Sequence, residues 1–139
     1  MDVFRKVIEL ETEGEVDMRD LTGEVRKSIT SSGLSSGLAC AFVPGSTGAL
    51  ITVEYEEGLK EDIRVALERL FPKETGYEHH RRWGDGNGHS HVRASFLSPS
   101  VTIPFHDGVP DLGTWQQVVF VELDNRPRSR RIIIQVIGQ

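Results

Sequence analysis

Short apolar segments bounded by turn residues, rather than long helices, constrain the fold of this chain most. Residues 3–11, 37–43, 50–55, 101–105, 114–124 and 131–137 are rich in valine, isoleucine, phenylalanine and threonine, the residues that suit a pleated surface. Pro44-Gly45-Ser46-Thr47-Gly48 and Asn125-Arg126-Pro127-Arg128 are turns of hairpin length, and Gly108, Pro110 and Gly113 make a wider one. Strands joined by such turns run antiparallel. Two stretches have helical period instead. Met18, Leu21, Val25 and Ile29 predict a helix over 18–31, with Asp17 as its cap. Leu59, Ile63, Ala66, Leu67 and Leu70 predict a second, ended by Pro72. The expected architecture is a single domain, 1–139, of α+β class: a mostly antiparallel sheet or sandwich with two to three helices packed on it.

Composition narrows the function classes. A net charge of −5 argues against general nucleic-acid binding, which needs lysine and arginine to neutralise phosphates. The basic residues are uneven, however. Arg81-Arg82 and Arg126, Arg128, Arg130 and Arg131 form two local clusters able to hold a small anion. No apolar run approaches the roughly 20 residues that cross a bilayer, and the N-terminus has no apolar signal region. A cytoplasmic location without membrane partners is expected. The single cysteine, Cys40, excludes an internal disulfide and lies in an apolar run, as a small core residue would.

Chemistry-bearing residues concentrate between 73 and 117. Residues 73–87 lack periodicity, and a loop of this length in a compact domain is uncommon unless it has a role. Four of the five histidines, His79, His80, His89 and His91, lie within or just after it. Asn87 is placed to cap a third helix running to about residue 97, because Val92, Phe96 and Leu97 are spaced for burial on a helix. On that helix Asn87, His91 and Ser95 share a face, with His89 and Arg93 on another. As a strand, the same segment would put His89 and His91 side by side as a ligand pair. His79 or His80 with His91, and a third ligand from His89 or Glu54, would make a zinc-like site with an open position. Solvated polar residues of a loop are the competing reading. The arginines of the run Arg126-Pro127-Arg128-Ser129-Arg130-Arg131 could clamp phosphate oxygens in bidentate fashion, with a solvated turn and strand edge as the competing reading, and Thr47 sits in a glycine-flanked turn whose backbone N–H groups can meet an anion. Trp115 reads as a packing anchor rather than a ligand platform.

These residues resemble the YjbQ family, also described as secondary thiamine-phosphate synthase enzymes. The matching pieces are Pro44 through Leu50, Tyr77-Glu78-His79, Gly86 through Ser95, Ser100 through Pro104, Leu112-Gly113-Thr114-Trp115-Gln116-Gln117 and Arg126-Pro127-Arg128. His79, Asn87, His91, Ser95, Thr114 and Gln116 fit the family pattern. Gly45 through Gly48, His89 and Arg93 depart from it. The resemblance implies an α+β homotrimer with a histidine-containing cleft. It also implies a reaction joining a pyrimidine diphosphate to a thiazole phosphate with release of pyrophosphate. The expected site then comprises His91, His79, Asn87, Ser95 and Glu54 as chemical groups. Thr47, Arg93, Arg126, Arg128, Thr114 and Gln116 would hold phosphorylated small molecules. His79, His89 and His91 are the candidate ligands of a divalent metal, zinc or magnesium.

Overall fold

The structure is a computed structural model that describes residues 1–139. Its strands are β1 (Asp2–Glu11), β2 (Met18–Asp20), β3 (Gly37–Phe42), β4 (Gly48–Val53), β5 (Ser100–His106), β6 (Val109–Pro110), β7 (Gln117–Glu122) and β8 (Ser129–Gly138). Its helices are α1 (Thr22–Ser32), α2 (Glu57–Leu70), α3 (Glu78–Trp83) and α4 (Gly88–Leu97). The class is α+β. Every strand pair is antiparallel: five strands in the order β1-β8-β3-β5-β6, three in the order β2-β7-β4.

The alternation of β7 explains how two cores fit one small chain. Val118 and Phe120 face the main core, where they meet Ala39, Ala41, Ile103, Phe105, Ile132, Ile134 and Val136 of the larger sheet and Leu21, Val25 and Ile29 around α1. Val119 and Val121 point the other way, toward Met18, Ala49, Leu67 of α2 and Ala94 of α4. The three-stranded sheet is thus covered on both faces, which is why β7 reads as an unbroken apolar run rather than an alternating one. Burying each such side chain stabilises the fold by about 1.5–3 kcal/mol relative to leaving it in water.

Three local expectations are corrected. Met18 does not begin a helix. Residues Met18–Asp20 pair with β7, and the Asp17 carboxylate is taken by the Glu13 N–H and the Arg19 guanidinium. The helix starts at Thr22, whose N–H and hydroxyl both donate to Asp20 Oδ1, at 3.0 and 2.7 Å. Asp20, not Asp17, therefore satisfies the first turn. The loop over 73–87 contains the short helix α3. The strand predicted from residue 114 begins at Gln117, because Gln116 turns back on Gly113 through both its backbone N–H and its side-chain oxygen. The helical reading of residues 88–97 holds as α4.

A buried polar network joins the two sheets. Arg130 of β8 donates from Nε and Nη2 to both carboxylate oxygens of Glu122 on β7, at 2.9, 3.1 and 2.6 Å. Thr12 donates to Glu122 Oε1 at 2.8 Å, and Arg130 Nη2 also reaches Thr47 Oγ1 at 2.8 Å. Glu122 is fully buried and Arg130 nearly so. Removing one partner of such a pair leaves a charge buried without compensation. Arg130→Ala is expected to lower unfolding free energy by about 3–5 kcal/mol in urea titrations. A loss below about 1 kcal/mol would contradict this role for the pair.

Candidate functional site

The site forms where α3, the turn after it and α4 converge beside the β7–β8 turn. Gly84 and Gly86 adopt left-handed φ angles of 66° and 67°, which a side chain would resist, and so project Asp85 between them. Asn125 latches this loop: its Nδ2 donates to the carbonyls of Asp85 and Gly86 at 3.0 and 3.3 Å, and its N–H donates to Asn87 Oδ1 at 3.1 Å. Asp85 Oδ1 accepts the Asn87 N–H at 3.1 Å, closing an Asx turn ahead of α4.

His79, Asp85 and His91 meet here. Each offers one ligand atom, and these atoms lie within 4.8 Å of one another. The two imidazole rings are 4.5 Å apart. His79 Nδ1 is buried with no hydrogen bond, although Asp85 Oδ1 stands 3.3 Å away. An orphaned buried ring nitrogen beside a carboxylate is costly unless a further group satisfies both. A cation does so. In a tetrahedral site, ligand bonds of about 2.1 Å set ligand atoms about 3.4 Å apart, so the widest gap needs to close by about 1.4 Å. Side-chain rotation of the partly exposed His79 and exposed Asp85 is enough for that. The donor set, two imidazoles and one carboxylate, suits zinc or a related transition metal better than magnesium, which favours all-oxygen ligation.

The charges around the cluster are arranged consistently. Burial, reinforced by the neighbouring His79 ring, holds the His91 imidazole below its ordinary pKa, against the opposing pull of Asp85 and Asp124. A neutral ring is the form that binds metal. Burial alone would raise the pKa of Asp124. The hydrogen bonds from Asn87, Thr47 and the Arg126 N–H, with the Arg128 charge, outweigh that and hold it low. Asp124 is fully buried and accepts from Thr47 Oγ1 and from Arg128 Nη1, each at 3.0 Å. Arg128 remains partly exposed, and Arg126 is exposed with Nε 3.9 Å from Asp124.

The other expected site residues are distributed as follows. Asn87 is buried at the start of α4, its side-chain Oδ1 accepting from the Asn125 N–H rather than capping the helix. His89 does not join the His79–Asp85–His91 cluster. Its fully buried ring donates from Nε2 to Glu15 Oε2, 2.7 Å away, in a group that also includes Lys73. Arg93 is buried too. It donates to the Phe71 carbonyl and to Glu68, so its guanidinium is committed to tying α4 to the end of α2. Ser95 is exposed and donates to the Val92 carbonyl of its own helix. Glu54 is exposed just beyond the Val53 end of β4, which pairs with Gln117, whereas Gly48 and Glu122 mark the end near the histidines. Thr114 and Gln116 lie at that same far end, about 15–20 Å along the strands, and are exposed. Asp85, rather than His89 or Glu54, is the third residue to meet His79 and His91. Its sequence signal was the Gly84-Asp85-Gly86 triplet midway between His79 and His91. Asp124, Glu122 and Glu15 were not distinguishable in the sequence from surface charges, and Arg130, expected in an anion-holding cluster, is instead buried against Glu122.

The fold and this cluster define a class: an α+β domain with two antiparallel sheets and a histidine–carboxylate centre beside an arginine-bearing turn. The family model described as UPF0047 protein YjbQ-like matches residues 6–139, and the chain belongs to that family. A UPF0047 protein of Methanothermobacter thermautotrophicus is 39% identical over 139 residues, covering 100% of this chain and 95% of its own length. One from Archaeoglobus fulgidus is 38% identical over 128 residues, covering 92% and 97%. Among solved structures, a YbjQ-like protein from Sulfolobus solfataricus P2 superposes with a TM-score of 0.94 at 30% identity, over 99% of each chain. A YjbQ/UPF0047 protein of Clostridium acetobutylicum gives 0.87 at 33% identity, over 95% of this chain and 99% of that one.

The His91 environment makes a prediction for the metal-free protein. Folded His91 takes up a proton less readily than it does in the unfolded chain, so it makes stability fall as pH drops from about 6.5 to its lowered value. His79→Gln removes the neighbouring imidazole that helps lower the His91 pKa. The His91 pKa, followed by imidazole NMR, is expected to move up toward 6.5; an unchanged or lower value would contradict the contact.

Proposed function

We propose that the chain is a small-molecule enzyme in which His79, Asp85 and His91 hold a divalent cation of the zinc type and phosphorylated substrates bind beside it. The observation that carries this reading is the convergence of three ligand atoms within 4.8 Å, one of them a buried nitrogen without a hydrogen bond. A bound cation would neutralise charge on phosphate oxygens. Arg128, oriented by Asp124, and Arg126 supply further positive charge at the same end of the molecule. The reaction proposed is the thiamine-phosphate synthase type: a pyrimidine diphosphate and a thiazole phosphate are joined and pyrophosphate leaves. Stabilising that departing group is what an arginine-and-cation cluster does well. A metal-dependent hydrolase would use the same ligands with an activated water, and a metal or ligand carrier would use them without turnover. The proposal places the protein in the cytoplasm; no helix is long and apolar enough to cross a membrane.

Self-association belongs to the same proposal, as a homotrimer. The outer face of the five-stranded sheet carries two apolar rows: Val3, Ile137 and Leu38 are register partners across β1, β8 and β3, and Val7, Ile133 and Phe42 are partners four residues along, with Arg5, Gln135 and Cys40 in the row between. Val3, Val7, Leu38, Phe42 and Ile137 are exposed in the single chain. Exposed apolar rows of this kind favour burial against another subunit. Light scattering should give three times the mass of one chain. Phe42→Glu is expected to lower that mass, and a wild-type monomer would contradict the proposal.

For the site, zinc titration by calorimetry should give one ion per chain, with at least about tenfold weaker binding in Asp85→Asn and His91→Ala. Incubation with the pyrimidine diphosphate and thiazole phosphate should yield thiamine phosphate and pyrophosphate in wild type and not in His91→Ala. Release of inorganic phosphate alone would favour the hydrolase, and absence of turnover with intact zinc binding would favour a carrier.

A further inference from the structure

Helix α3 presents more than His79. Arg82 and Trp83 follow it at three and four residues, the spacing at which helical side chains are neighbours on one face. Trp83 is also only two residues ahead of Asp85, so it stands between two members of the cluster in sequence and one turn from the first in space. Its indole is 76% exposed. Single exposed apolar residues are common on protein surfaces, so exposure alone decides nothing. The company of this indole does. Arg81, on the same helix, is held by Glu78. Arg82 is exposed and has no carboxylate within ion-pair distance. An unpaired guanidinium and an exposed indole thus sit three and four residues along α3 from His79, a member of a cluster whose donors suit a cation.

We infer that Arg82 and Trp83 form the recognition rim of the His79–Asp85–His91 site and select a planar aromatic ring that carries a phosphate. This rests on the reading that the cluster holds a cation. The indole offers a π face on which a flat ring stacks, with little entropy lost because only two torsions are fixed. The Arg82 fork matches two phosphate oxygens. The cation takes up charge on the remaining oxygen, so ring and phosphate are read by different groups. A substrate with a phosphate but no ring would lose the stacking contribution alone.

The test uses the intact protein, zinc-loaded and metal-free, with two probes that cannot be hydrolysed: phenylphosphonate and methylphosphonate. Calorimetry on wild type should show phenylphosphonate binding about five- to tenfold more tightly. Trp83→Ala should abolish that difference while leaving methylphosphonate affinity and zinc stoichiometry unchanged. Arg82→Ala should weaken both probes by a similar factor. Equal affinities for the two probes in wild type would overturn the inference, as would a ring preference that survives Trp83→Ala. Loss of zinc from Trp83→Ala would also overturn it, because the residue would then be a structural support. If wild type binds no zinc but Trp83-dependent ring preference persists, the cation reading fails and the recognition rim stands.

Discussion

The ion pair between Glu122 and Arg130 is the interaction on which the rest of this structure depends. Glu122 belongs to the smaller sheet and Arg130 to the larger, so their bidentate contact fixes how the sheets meet at one end. Taking two charges out of water is expensive, and the pair is tolerable only because Thr12 and Thr47 satisfy the remaining valences. The same Thr47 hydroxyl then donates to Asp124, and Asp124 orients Arg128 and meets the Asn87 side chain. A chain of polar contacts thus runs from the interface between the sheets to the first residues of α4. The exposed chemistry at the surface is positioned by buried electrostatics, which have few alternative arrangements.

Two glycines and one asparagine translate that rigidity into a ligand cluster. The left-handed turns at Gly84 and Gly86 present Asp85, and Asn125 fastens the loop to the turn that follows Asp124. His91 is delivered by α4 and His79 by α3. The lowered pKa of His91 and the unpartnered Nδ1 of His79 belong together: both follow from setting two imidazoles close together in a partly buried place. Such an arrangement is unfavourable for the rings when protonated and favourable when they share an electrophile.

Much of the fold was legible in the sequence. Apolar β-branched runs marked most strands, the Leu59–Leu70 stripe marked α2, and the spacing of Val92, Phe96 and Leu97 chose helix over strand for α4. The failures were local contests. Met18 has helical spacing to Leu21 and Val25, yet pairing with β7 and burial in the second core outweighed it. The site was legible in part. His79 and His91 stood out because imidazoles are few and chemically distinctive. Asp85 did not, since an aspartate between glycines is also an ordinary turn. His89 and Arg93 looked like site residues by proximity in sequence, but α4 turns them toward Glu15 and Glu68, where they hold elements together. Which face of a ten-residue helix meets which neighbour is a tertiary fact, and periodicity alone does not supply it.

The central claim is that imidazoles from α3 and α4, with the Asp85 carboxylate, act as one ligand set. Zinc K-edge X-ray absorption on the zinc-loaded protein tests it most directly. The account predicts scattering from two imidazole rings and nearby oxygen ligands at about 2.0–2.2 Å. A zinc shell of oxygen alone, without the outer scattering of imidazole carbons, would contradict it.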